Sequence, residues 1–281
     1  MGPETFNQIY YIFILPKNKP MKLHLTPLVL LLILFISTLT PSCSETEERY
    51  YFELKIFRYD TDTQEARLDD YLESAYLPAL HRAGINQVGV FKLREQGNET
   101  ENAILILVPY SSLGEYIGLP AELKSDKEYL EAGNDYIEAP YDNPPYSRIE
   151  TILLKAFSET PRLTPPQLES PRTGRVYELR SYQGPTELLC ERKVEMFNSG
   201  EAALFRELEF NPVFFGEVIS SSRMPHLMYM TAHADTTVQK EHWKAFSSSP
   251  KWQEMNQVER YKNTVSNITK YMLYPTPYSD Y

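Results

Sequence analysis

Two cysteines, Cys43 and Cys190, stand in a chain of 281 residues. That scarcity excludes a disulfide framework and leaves at most one bridge, between these two residues. Dense Lys/Arg runs are absent, and the formal charge is −10. No nucleic-acid partner is expected, because no basic patch is available to neutralise phosphates. The longest apolar run, 28–36, falls short of the ~20 residues a membrane-spanning helix needs. His-x-x-x-His, Cys-x-x-Cys and carboxylate clusters with ligand spacing are missing, so neither a metal nor a cofactor is expected. Also missing are Gly-x-Ser-x-Gly, a glycine-rich phosphate loop and a nucleotide fingerprint.

What is present begins with a leader. From Met21, the expected true start, the sequence has Lys22, the apolar run 28–36 and small polar residues up to Cys43. This is the layout of a secretory signal peptide over 1–43, and Cys43 stands where a bacterial lipoprotein would be acylated. The expectation is an exported, periplasmic or envelope protein, with membrane attachment through a lipid on Cys43. Without Lys17, Lys19, Lys22 and Glu4, the mature chain keeps 25 basic and 37 acidic residues, a charge of −12.

Beyond the leader the pattern repeats. "YYFELKIFRY" (50–59) and "RVYELRSYQG" (175–184) alternate apolar and polar positions like strands, each just ahead of an amphipathic stretch. Two middle strands, a second helical region and a closing strand follow in both halves. A β-α-β-β-α-β order is the ferredoxin-like unit, a four-stranded sheet with helices on one face. The sequence therefore predicts an α+β fold of two tandem ferredoxin-like halves, 48–160 and 175–281. Their bare sheet faces are expected to pack together into an α+β barrel. The stretch 161–174, with Pro161, Pro165, Pro166 and Pro171, reads as an extended linker. Barrel formation between chains, as a homodimer, is the alternative use of the same faces.

"VYELRSY", "FFGEV", "HLMYMTAHAD" and "SSPKWQEM", in that order, make the second half resemble the NIPSNAP family, a branch of the dimeric α+β-barrel superfamily. Members often carry a Trp in the third strand and an Arg in the helix after it; Met228, and Gln239 with Lys240, stand there in this chain. The resemblance implies the fold, but no agreed molecular activity. Relatives in the wider superfamily include cofactor-independent monooxygenases, haem-degrading enzymes and binding proteins, so a site has to be argued from residues.

Alternation places Tyr177, Leu179 and Ser181 on one face and Glu178, Arg180 and Tyr182 on the other, with Phe52, Leu54 and Ile56 opposed to Glu53, Lys55 and Phe57. With the apolar set under the helices, the charged and aromatic set is expected to face the barrel interior. There it forms either ladder ion pairs or, with Tyr229, the polar lining of a ligand site. Leu227, Tyr229, Thr231 and His233 share a face that combines with Tyr182 and His242 around a cavity, making His233 and His242 the catalytic candidates for proton transfer. His226 lies on the opposite face. Trp243 and Trp252 read as packing residues on either side of a helix break. The leading expectation is a binding module with a mostly apolar cavity between sheet and helices of the second half, holding a small apolar ligand. Rival readings are a cofactor-independent oxygenase or isomerase, and a structural or partner-binding protein that associates through exposed sheet edges.

Overall fold

Strand alternation sets the first element of each half. The computed structural model describes residues 48–94 and 102–281, so the expected leader and the lipidation site Cys43 lie outside the described residues. β1 (Tyr51–Arg58), β2 (Gly89–Leu93), β3 (Ala103–Tyr110) and β4 (Arg148–Ala156) form the first half. β5 (Val176–Gln183), β6 (Pro212–Ser220), β7 (His226–His233) and β8 (Asn267–Pro275) form the second. After β1, Thr61 caps helix α1 (Asp62–Tyr71) by accepting from the Gln64 amide; a π-turn (Leu72–Tyr76) leads into α2 (Leu77–Arg82). Gly84, at φ +86°, takes the left-handed turn beyond it. α3 (Leu113–Ser125), α4 (Lys127–Ala132) and α5 (Asn134–Ile137) lie between β3 and β4.

The second half repeats the order. Thr186 caps α6 (Glu187–Met196), a π-turn (Phe197–Glu201) leads into α7 (Ala202–Glu207), and α8 (Thr236–Ser248) and α9 (Pro250–Gln257) lie between β7 and β8. Equivalent positions are a constant 125 residues apart through the first strand and helix, as from Thr61 to Thr186 and from Leu72 to Phe197. No helix among the described residues is long and apolar enough to cross a membrane.

All eight strands close into one antiparallel ring, in the order β1-β3-β2-β8-β5-β7-β6-β4. Each half contributes a four-stranded sheet, and the halves join edge to edge. β2 pairs with β8 at Phe91–Leu93, and β4 with β6 between Leu153 and Ala156. Strand pairing at both seams, where face-to-face packing was expected, removes the free sheet edges on which the edge-association reading relied, because a closed ring has none.

The faces are the reverse of the sequence expectation. Phe52, Leu54, Ile56, Tyr177 and Leu179 point into the ring and pack with Phe91, Leu107, Leu154, Phe214, Met228 and Met230. Aromatic pairs cross between the halves, with ring centroids 5.2 Å apart for Phe52–Phe214 and 4.8 Å for Phe91–Tyr177. The interior of an eight-stranded barrel is just wide enough to be filled by such side chains. Glu53, Lys55, Glu178, Arg180 and Tyr182 therefore point outward, under the helices. The Pro-rich stretch is strapped to the barrel: Leu163 joins the interior cluster, and the Thr164 amide donates to the Val213 carbonyl at 2.9 Å.

His226 is buried at one end of β7, its Nδ1 2.8 Å from Ser181 Oγ and its Nε2 2.7 Å from Ser221 Oγ. Burial, reinforced by Arg223, pulls its pKa down to about 4.

Three outcomes are expected. Phe214→Ala should cost about 3–5 kcal/mol through the cavity it leaves. Because both halves share the interior, chemical denaturation should still show one transition, with circular dichroism and tryptophan fluorescence coinciding. His226 remains neutral in the fold down to about pH 4, whereas an unfolded histidine takes up its proton near 6.5. Its contribution is thus complete above pH 6.5 and lost as the pH falls toward 4. Acidification from pH 7 to 5 should cost about 1–2 kcal/mol through this residue, and the stability of His226→Gln should fall less steeply over that range.

Candidate functional site

Lys193 and Glu201 are eight residues apart. On a regular helix Glu201 would sit about 80° around the axis from Lys193, but the π-turn absorbs one residue and brings them within about 20°. Both are buried, at 4% and 2% exposure, and Lys193 Nζ lies 2.6 Å from Glu201 Oε2. Aromatic rings surround the ammonium, with centroids 4.7 Å (Phe197), 5.4 Å (Trp252) and 5.7 Å (Tyr182) away. Burial pushes the Glu201 carboxyl up, and the Lys193 charge only partly opposes it.

Beside this pair lies a second charged group, built on β5. Glu178 is 1% exposed. Its Oε1 accepts from Arg180 Nε at 2.6 Å and Nη2 at 2.6 Å; its Oε2 accepts from Gln239 Nε2 at 2.6 Å and Trp243 Nε1 at 2.6 Å. Both carboxylate oxygens are therefore fully engaged. The Arg180 guanidinium stacks on Trp243 at 3.5 Å from the ring centroid, and its Nη1 reaches Tyr182 Oη at 3.4 Å. Tyr229 Oη donates to Tyr182 Oη at 2.9 Å from behind.

These groups wall a cavity of about 710 Å³ between β5, α6, α8, α9 and the segment from Tyr261 to Val265. Arg180, Tyr182, Lys193, Glu201, Trp243 and Trp252 all line it. The cavity lies where the sequence placed one, but its wall is charged and aromatic, not mostly apolar. Glu178 and Tyr229 are not part of the wall; they hold Arg180 and Tyr182 from behind. One Lys193 N–H remains after Glu201 and the Met196 sulfur at 3.4 Å are counted. With Arg180 Nη1 and Tyr182 Oη, it leaves donor capacity directed at the cavity.

In the first half, aromatic side chains pack between the sheet and the helices. At the same 125-residue spacing, Leu68 replaces Lys193 and Tyr76 replaces Glu201. Tyr71 stacks on Tyr136 at 3.6 Å, Tyr76 accepts from Lys55 at 3.4 Å, and Glu53 accepts from Tyr110 at 3.0 Å. Phenol rings occupy that space.

His233 and His242 do meet, Nδ1 to Nδ1 at 2.9 Å, with Thr231 Oγ1 3.1 Å from His233 Nε2. The pair lies apart from the cavity above. His233 is fully buried against Phe210, and His242 lines a separate cavity of about 520 Å³ under Thr164–Leu168. Burial first, and the neighbouring His242 second, pull the His233 pKa down to about 4; burial also lowers that of His242. Among the described residues no group of three or more His, Cys, Asp or Glu is placed to hold a metal ion. Cys190 is free and buried, its thiol pushed up to about 11 by burial.

Residue-by-residue reading passed over Lys193 and Glu201 and gave Trp243 a packing role only. The 125-residue correspondence carried the signal, since it sets Lys against Leu and Glu against Tyr at otherwise matching positions.

The fold has known counterparts. A monooxygenase candidate from Lactobacillus acidophilus NCFM superposes with a TM-score of 0.54 at 9% identity, covering 81% of this chain and 94% of that one. A second, from Fusobacterium nucleatum subsp. nucleatum ATCC 25586, gives 0.50 at 10% identity, covering 82% and 93%. At these identities the likeness is one of fold alone. A NIPSNAP family protein from Agrobacterium tumefaciens str. C58 covers 41% of this chain and 98% of its own, with a TM-score of 0.33 at 14% identity. The chain matches none of the curated proteins. Residues 177–280, within the second half of this α+β barrel, match the NIPSNAP family model.

Proposed function

We propose that the protein is a small-molecule-binding module whose second half holds an amphipathic acid, with an aromatic or apolar body between Trp243 and Trp252 and its carboxylate toward Arg180 and Lys193. The observation carrying this reading is the substitution of a buried Lys193–Glu201 pair for Leu68 and Tyr76, coupled to an open cavity at that spot. A buried ion pair is not a general stabilising device, since desolvation commonly offsets its attraction. Keeping one against a cavity wall favours ligand recognition. The charged lining extends the expected apolar ligand to one with an acidic head.

On this reading the two halves are copies with divided roles, the first a filled scaffold and the second the binding half. The leader pattern before Cys43 supports an exported, lipid-anchored location for the module. The histidine-based oxygenase or isomerase reading has weaker support, because neither His233 nor His242 lines the charged cavity.

Both tryptophans of the chain line that cavity, so ligand entry is readable by intrinsic fluorescence. Phenylacetate and indole-3-acetate should quench or shift the emission saturably, and the matching alcohols should bind at least ~10-fold more weakly, since a charge-assisted hydrogen bond contributes about 1.5–3 kcal/mol. The paired change Lys193→Met with Glu201→Gln, which leaves no orphaned carboxylate, should weaken the acids and leave the alcohols unchanged. Equal affinities for acid and alcohol would refute the assignment.

A further inference from the structure

Glu201 has a feature that binding alone does not use. Its carboxylate lines the cavity beside an ammonium and is tied through one oxygen only: Oε2 accepts from Lys193 at 2.6 Å, and it makes no other hydrogen bond. Glu178, the other carboxylate nearby, is saturated by four donors and stands behind the wall. One carboxylate is thus held fixed and the other faces the ligand space, next to two cationic donors able to receive negative charge.

Resting on the binding site described above, we infer that this cavity catalyses proton transfer at a carbon next to a carbonyl, in small 2-oxo acids with an apolar or aromatic side chain. Glu201 is the base, and Lys193 with Arg180 holds the oxygen that becomes negative. The substrate carboxylate and carbonyl face the cations, and the side chain lies against Trp243 and Trp252. A C–H bond breaks and its proton passes to a Glu201 oxygen. The electron pair forms a carbon–carbon double bond, and the carbonyl π pair moves onto oxygen, giving an enolate held by the Lys193 ammonium. Return of a proton to oxygen gives the enol, and return to carbon regenerates the ketone; nothing is oxidised or reduced. Burial makes the Glu201 carboxylate a stronger base than an exposed one, which suits a group that must accept a proton from carbon near neutral pH. Lys193 supplies charge at the site where the enolate develops, beside the Phe197 and Trp252 rings.

The test follows the methylene protons of phenylpyruvate and of 2-oxo-4-phenylbutanoate by proton NMR in D₂O, with tryptophan fluorescence read on the same samples. The full mature chain should exchange these protons faster than buffer by at least ~100-fold, the scale of one general base. Glu201→Gln should lose that excess while binding the 2-oxo acid with a dissociation constant within about threefold of the parent. Glu201→Asp, which keeps the carboxylate on a shorter arm, should fall between the two in kcat with little change in KM. Saturable quenching with exchange at the buffer rate would overturn the catalytic role and leave the binding reading standing. Exchange undiminished in Glu201→Gln would overturn the role of Glu201. Neither quenching nor exchange would remove both readings together.

Discussion

Closure of the eight strands into a ring is the constraint from which the rest of the structure follows. A ring of this size has room inside only for side chains, so one face of every strand has to supply apolar groups. Phe52, Phe91, Leu107, Tyr177, Phe214 and Met230 supply them from both halves. An unpaired charge on β1 or β5 could not point inward without a desolvation cost, and Glu53, Lys55, Glu178 and Arg180 lie on the outer face under the helices, whereas the inward Ser181 is paired with His226. Any ligand site on this fold has to form there, between sheet and helix, because the inside is full.

Outward placement still buries the charges, and each half resolves this differently. In the first half, hydroxyl groups join a looser ion pair: Tyr110 donates to Glu53, Lys55 donates to Tyr76, and Lys55 Nζ lies 3.4 Å from Glu53 Oε1. In the second half the answer is ionic and aromatic, with Glu178 taking four donors and Lys193 sharing its charge with Glu201 and the surrounding rings. Removing one partner of such a pair strands the other in a low-dielectric setting, a change worth about 3–5 kcal/mol. A buried ion pair is weak evidence for stability, since desolvation commonly offsets its attraction.

Much of the fold was legible because strand and helix periods are visible wherever one face is buried. "YYFELKIFRY" and "RVYELRSYQG" mark β1 and β5 within a residue or two, and the repeated element order led to an α+β barrel. Which face points inward was not legible. In a barrel with helices outside, a strand is covered on both sides, so Phe57 and Leu54 are equally apolar and alternation separates the two sets without orienting them. β3 and β7, buried along their whole length, show the same ambiguity. Of the residues lining the cavity, strand alternation had grouped Arg180 and Tyr182. Lys193 and Glu201 were missed because eight residues is the wrong phase for one face of a regular helix, and nothing in "KVEMFNSGE" announces a π-turn.

The inequality of the halves ties these points together. Arg180 is fixed by the β5 backbone, which is hydrogen-bonded to β7 on one side and to β8 on the other, and β8 is paired in turn with β2 of the first half. The first half, filled with stacked phenol rings, is therefore continuous through the sheet with the strand that carries the guanidinium. Trp243 reaches the same group from the helix side, holding Glu178 by its indole N–H while its ring covers Arg180. Strand and helix thus converge on one cation, whose position is set before any ligand arrives, and such preorganisation lowers the ordering cost of binding. The Lys193–Glu201 pair lies on a different element, α6 and its π-turn, and meets the strand side through the Tyr182 ring and through Phe197, which packs on Tyr182, Phe215 and Tyr229. Of the two charged walls, one is braced by the barrel and the other by a single irregular helix. The helix wall carries the carboxylate left with only one hydrogen bond.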